Sequence, residues 1–233
     1  MIGVPVPPTY PEIDSNRQDA AALIEWFYED GVQTSVLGGR FMQSMIDGFD
    51  TKKGTQHNFE SIMALSEMRD DSDWLASWAK GLIFDALIGN TDRHQNNWAL
   101  LFRSEPGFRP ASLAPWFDNG TSLGCERHER QVSRWHNEQL MRYLHNGRHH
   151  MRWDKSSAQR CGFFEMPQRL IELESSLRGP MLGCVDSLNL DTLAALLTAC
   201  TETESYTRLT PWRADFMHRL VEHRKEILLG ILS

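Results

Sequence analysis

Between residues 72 and 89, apolar side chains recur at steps of three and four: Trp74, Leu75, Trp78, Leu82, Ile83, Ala86 and Leu87. That period lays them on one side of an α-helix, and Gly89 is placed to end it. The pattern then breaks, and Asn90-Thr91-Asp92-Arg93-His94-Gln95-Asn96-Asn97 follows without an apolar member. Two β-type runs come next, Trp98 to Phe102 and Ser112 to Phe117, joined through Pro106-Gly107. They predict a hairpin.

Downstream the pattern is helical, with segments predicted at 129–145, 165–177, 190–202 and 211–232. The last has Thr210 as cap, Pro211 at its first position and an apolar face of Phe216, Leu220, Ile227 and Leu228. Upstream, Pro5, Pro7, Pro8 and Pro11 predict an extended lead-in. A helix is then expected from a Ser15 cap through Ala20 to Tyr28, stopped by Gly31, followed by a polar loop with a short helix near 40–47. Asn58 is placed to cap a helix with Phe59, Ile62, Met63 and Met68 inward. These elements predict a mainly α fold with a small β-hairpin, divided into a lead-in or hinge over 1–57 and a helical body over 58–233. Internal repeats and low-complexity segments are absent.

Composition narrows the function classes. The 233 residues are 41% hydrophobic and 24% charged, a globular mix. The 24 Lys and Arg against 31 Asp and Glu give a net charge of −7, which argues against a general nucleic-acid coat; direct nucleic-acid binding is not expected. No apolar run reaches the roughly 20 residues of a membrane span. The first residues lack the basic and apolar regions of a secretory signal. Cys125, Cys161, Cys184 and Cys200 include no C-x-x-C pair and are expected as small buried hydrophobes in a reducing, cytoplasmic setting. Trp74, Trp78 and Trp212 are expected in packing. His145, His149, His150 and neighbouring arginines Arg142, Arg148 and Arg152 form a basic cluster, open between a solvated surface, a phosphate or substrate contact, and zinc binding at the i, i+4 spacing of His145 and His149.

The chemistry centres on Asp92 and Asn97, five positions apart, and on Asp118-Asn119-Gly120 beyond the hairpin. Phosphoryl transfer needs one carboxylate to orient the attacking hydroxyl and accept its proton. An amide oxygen and a second carboxylate then hold Mg²⁺ on the nucleotide phosphates. A hairpin between the two motifs folds the second acid back beside the first. By spacing alone, a polar surface loop and a plain Asp-Asn-Gly turn fit equally well.

Gly89-Asn-Thr-Asp92-Arg93-His94-Gln-Asn-Asn97-Trp98, followed by Leu113-Ala-Pro-Trp116-Phe-Asp118-Asn119-Gly120-Thr-Ser-Leu-Gly124, resembles the C-terminal domain of HipA-like serine/threonine kinases, often toxins of toxin–antitoxin pairs. The Asp-Arg-His-x-x-Asn core is also similar to the catalytic loop of phosphatidylinositol 3- and 4-kinases. The resemblance spans about 60–233 and implies a kinase-like C-lobe, with catalytic loop 90–98 and metal motif 118–120. It implies Asp92 as catalytic base, with His94 assisting proton transfer. It further implies Asn97 and Asp118 as Mg²⁺ ligands on ATP, with Arg93 either contacting a phosphate or bracing the loop. A protein substrate and an antitoxin partner follow from it.

Only 91 residues precede Asp92, without G-x-G-x-x-G. The upstream lysines are Lys52 and Lys53 in a polar loop and Lys80 on a helix. The nucleotide-gripping N-lobe is therefore expected to be missing, with the chain a fragment, its partner lobe encoded separately, or a kinase relic. A phosphotransferase acting on a lipid or small molecule, and an inactive kinase-like binding module, remain as alternatives.

Overall fold

The computed structural model describes residues 3–14, 16, 19–52, 54, 56–67, 74–103, 112–202 and 209–233. The chain is about half helical, with two small antiparallel sheets. At its centre, α3 (Trp74–Ile88) packs against α7 (Arg178–Asp186) and α9 (Pro211–Leu232). Trp78, Leu82, Ile83 and Ala86 carry the predicted stripe of α3 into the core, each at most 1% exposed. Gly89 ends the helix in a left-handed turn, φ 69°.

The hairpin after the polar loop forms as predicted from β4 (Ala99–Arg103) and β5 (Ser112–Leu113), with Leu100 opposite Leu113. Its connection, including Pro106-Gly107, lies outside the described residues. A third strand, β3 (Gln33–Leu37), joins the other edge of β4, with Leu37 opposite Ala99. Its sequence, QTSVL, has no clean alternation, and pairing rather than local pattern makes it a strand. α1 (Gly38–Met45) follows directly, near the predicted 40–47. The next helix, α2 (Phe59–Glu67), has Asn58 Oδ1 accepting from the Ser61 N–H at 2.9 Å and buries Phe59 and Ile62. Met68 lies outside the described residues.

The expected helix after Ser15 does not form. The proline-rich segment holds the chain extended, and β1 (Thr9–Asp14) pairs antiparallel with β2 (Asp19–Ile24). A helix needs a core for its apolar stripe, and Leu23 and Trp26 have none, being 59% and 67% exposed. Phe27 instead stacks on Phe117, ring centroids 5.2 Å apart.

Further on, the predicted 129–145 helix splits into α4 (Glu129–Val132) and α5 (Asn137–His145), the second started by the Gln139 side chain accepting from the His136 N–H at 2.8 Å. The predicted 165–177 helix becomes α6 (Glu165–Leu173) and a 3₁₀ turn, Ser175–Leu177. α7 was not legible because Gly179, Pro180 and Gly183 read as breakers, yet Pro180 sits in the first turn, where its missing N–H costs nothing. α8 (Leu190–Glu202) and α9 match, and Thr210 Oγ1 accepts from the Arg213 N–H at 3.2 Å. Trp212 corrects its expectation, being 64% exposed, as do Cys125 and Cys200, which are exposed while Cys161 and Cys184 are buried. Among the described residues no single helix is long and apolar enough to cross a membrane.

Four tryptophans organise the core around α3. Trp78 meets Trp98 and Trp116 edge to face, each at 5.2 Å, and Trp74 meets Trp98 at 6.4 Å. Trp98 follows the polar loop and Trp116 precedes Asp118, so the same aromatic cluster anchors both motifs. Gly81 permits it, since a Cβ there would overlap the Trp116 indole.

Two histidines are buried beside this core. The Trp98 Nε1–H donates to His57 Nε2 at 3.1 Å, and His149 packs edge-on against Phe163 at 4.7 Å. Burial pushes both imidazoles down from 6.5 to about 3. The folded state holds them neutral while the unfolded chain protonates near 6.5. Their stabilisation is therefore complete above pH 6.5 and is lost as pH falls toward about 3. Each histidine contributes a slope of about 1.4 kcal/mol per pH unit in that window. Denaturant midpoints at pH 7, 6 and 5 are expected to fall steeply, with His149→Met flattening the dependence; an unchanged slope in the variant contradicts the assignment.

Candidate active site

The polar loop is not a surface loop. Asn90 and Arg93 are fully buried, and Gln95 and Asn97 are no more than 5% exposed. Its organising partner is Asp85, an acid on the last turns of α3 that the sequence reading passed over. Arg93 forms a fork on it, Nε to Oδ2 at 3.0 Å and Nη2 to Oδ1 at 2.8 Å. Burial pushes the Asp85 carboxyl up, and Arg93 and the Asn90 amide pull it back. The remaining Arg93 donors reach the Asn97 carbonyl, the Phe117 carbonyl and Asn119 Oδ1, each at 2.6 Å. The guanidinium also lies over the Trp116 ring, 4.5 Å from its centroid.

All five N–H donors of Arg93 are thus committed, and none is left for a phosphate. The expected nucleotide contact from Arg93 is corrected to a brace. It ties the loop after Asp92 to the turn around Asp118, 24 to 26 positions away. Asn90 adds a second tie, with its Oδ1 accepting from the Asp92 N–H at 3.0 Å and from Thr121 Oγ1 at 2.9 Å.

Within the loop, the Asp92 carbonyl accepts from the His94 N–H and from Asn97 Nδ2, both at 2.7 Å. Asp92 and Asn97 are therefore brought together by the loop's own closure. His94 Nδ1 accepts from the Asn96 N–H at 3.1 Å, which leaves Nε2 to carry the proton of a neutral ring. The loop's outer side is seated on α1, where Gly38 donates to the Trp98 carbonyl and Gly39 to the Gln95 carbonyl, at 2.9 and 2.6 Å. A Cβ on either glycine would strike Trp98 or Asn96. This close backbone approach explains why both are glycine.

Asp118 is exposed, in the left-handed region at φ 54°. Aspartate tolerates that region better than most residues, at about 1–2 kcal/mol. The conformation is held because Arg93 grips the carbonyl before Asp118 and the side chain after it. Among the described residues, no hydrogen bond engages the carboxylate of Asp92 or of Asp118. A carboxylate and an amide are hard oxygen donors suited to Mg²⁺. No group of three or more His, Cys, Asp or Glu among the described residues is arranged to hold a metal by itself. The donor set therefore fits an ion that arrives with phosphate oxygens.

One residue outside the motifs joins the site. His150, from the basic cluster, packs edge-on against His94, ring centroids 5.8 Å apart. The histidine-arginine run was its only signal in sequence.

Arg93→Ala is expected to destabilise the protein by about 3–5 kcal/mol, since it leaves Asp85 buried and unpaired. Arg93→Lys recovers only part, because an ammonium does not reproduce the fork. Equilibrium denaturation checks both, and a loss under 1 kcal/mol for Arg93→Ala contradicts the brace.

No protein-family profile matches the sequence, and no curated protein matches it. Solved structures do. The proinflammatory kinase CtkA of Helicobacter pylori superimposes with a TM-score of 0.76 at 15% identity, over 99% of this chain and 77% of that one. HipA of Shewanella oneidensis MR-1, solved with HipB and operator DNA, superimposes with a TM-score of 0.55 at 14% identity, over 99% of this chain and 52% of HipA. This chain spans about half of HipA's length. Its fold is that of the HipA-like kinases.

Proposed function

We propose that the chain is the catalytic C-lobe of a HipA-type serine/threonine protein kinase, which transfers the γ-phosphoryl group of ATP to a protein hydroxyl. The observation that carries this reading is the Arg93 brace. It holds the loop of Asp92 and Asn97 against the turn of Asp118 while leaving both carboxylates unengaged among the described residues. Asp92 orients the acceptor hydroxyl and takes up its proton. His94 has its Nδ1 engaged by the Asn96 N–H, which leaves Nε2 to assist the proton transfer. Asn97 and Asp118 are the residues that would hold Mg²⁺. When bound, the ion neutralises charge on the phosphates and so lowers the electrostatic barrier to attack.

Two features favour a lobe completed by a partner. None of β1, β2 and β3 carries a lysine that could pair nucleotide phosphates. The β1–β2 hairpin also leaves Tyr10, Leu23 and Ile24 between 45% and 59% exposed. A separately encoded N-lobe would supply the first and cover the second. HipA's complex with HipB motivates an antitoxin protein as a further partner, in the cytoplasm.

Radiolabel transfer from ATP to protein substrates tests the reading, with candidate partner lobes added in parallel. Asp92→Asn and Asp118→Asn are each expected to lower turnover by about 10²–10⁴-fold with the fold intact. Full turnover in Asp118→Asn overturns the assignment, and label appearing on lipid instead of protein reassigns the substrate class.

A further inference from the structure

The basic run that the proposed chemistry leaves unused has an ordered geometry. Residues 147–151 and 161–163 run antiparallel. The His149 N–H donates to the Cys161 carbonyl at 2.9 Å, the Cys161 N–H to the Met151 carbonyl at 3.0 Å, and the Phe163 N–H to the Gly147 carbonyl at 3.1 Å. Arg148 bridges Gly162, and that register sets His150 opposite Arg160. Alternate residues of such a ladder point to opposite sides. His149, Met151 and Cys161 face the core and are buried, whereas Arg148, His150 and Arg160 share the outer side. His150 is the member that meets His94 of the catalytic loop, so Arg148 and Arg160 flank the residue that abuts the proposed site.

A cavity of about 240 Å³ is lined by Arg148 and Arg160 together with Gln159, Cys161, Glu165 and Arg169. Its internal charges do not cancel. The Glu165 carboxylate is taken by Arg169 Nε at 2.8 Å and by the Gly162 N–H at 3.1 Å. Asp154 is folded back on Ser156 and Ser157. Arg148 donates one hydrogen bond, to the Arg160 carbonyl at 2.9 Å. Among the described residues neither Arg148 nor Arg160 meets a carboxylate. Residues 148–169 carry five cations (Arg148, Arg152, Lys155, Arg160, Arg169) and two acids (Asp154, Glu165), a local charge of +3 in a chain of −7.

We propose that Arg148 and Arg160 form an anion subsite beside the catalytic loop, which binds an acidic side chain of the peptide substrate and so selects hydroxyls flanked by negative charge. The proposal rests on the kinase reading of Asp92. The pairing chemistry is guanidinium to carboxylate or to phosphate, both of which Arg binds through two parallel hydrogen bonds.

The full chain, with any partner that activity requires, is tested on two peptides that differ only in glutamates or alanines around one serine. Wild type is expected to favour the glutamate peptide in kcat/KM by about tenfold or more. The double variant Arg148→Ala/Arg160→Ala is expected to lose that preference while keeping its rate on the alanine peptide, and Arg148→Lys/Arg160→Lys to retain part of it. Fluorescence anisotropy without ATP supplies an independent readout, with labelled glutamate and phosphoserine peptides as probes. Their affinity is expected to fall about tenfold in the alanine variant and to weaken with salt. Phosphoserine binding alone assigns the anion as phosphate. Phosphotransfer absent with arginine-dependent binding intact removes the kinase reading and leaves the subsite standing. Phosphotransfer present, with neither preference nor binding altered by the alanine variant, overturns the subsite.

Discussion

One buried ion pair holds the candidate site together. Asp85 belongs to the central helix and Arg93 to the loop that follows it, so their fork pins the loop to that helix. A guanidinium has donors to spare after such a fork, and here they fasten the turn of a different segment. Desolvating both charges is costly, and the gain comes from satisfying every donor. The pair's contribution is specificity of arrangement: with it, two motifs more than 20 residues apart have one relative position.

The aromatic core does the same work at lower resolution. Trp98 and Trp116 stand next to the functional motifs and both rest edge-on against Trp78 of α3. Nonpolar packing brings the segments close, and the polar network then fixes their register. Arg93 lies over Trp116, so the two layers touch. Substitutions in this cluster therefore act on the site through Arg93 and the backbone of both motifs.

Much of this was legible in sequence where local pattern and tertiary demand agree. The stripe of α3, the Thr210-Pro211 start of α9 and the hairpin after the loop all combine a strong period with a clear boundary signal. That the loop of Asp92 and Asn97 lies against the turn of Asp118 was legible because a hairpin spacing implies proximity. The failures have one cause in common. Ala20 to Tyr28 has helical composition, but its apolar residues share no one core: Leu23 and Trp26 stay exposed while Phe27 packs on Phe117, and strand pairing with a proline-held neighbour decides the conformation of Asp19–Ile24. β3 and α7 exist through partners distant in sequence. Asp85 was missed because a single acid inside an apolar stripe looks like solvent exposure, and the cation that neutralises it belongs to the next element. Arg93 had two readings, brace or phosphate contact, and only the count of its committed donors decides between them.

The left-handed backbone at Asp118 carries an implication for sequence drift. On conformational grounds alone, glycine suits that position best and asparagine next. An aspartate there is a side chain retained against a local preference, in a pocket of bonds that would hold a smaller residue equally well. A glycine there would keep the turn and remove the carboxylate alone, so the shape of the turn makes no demand for an acid at this position.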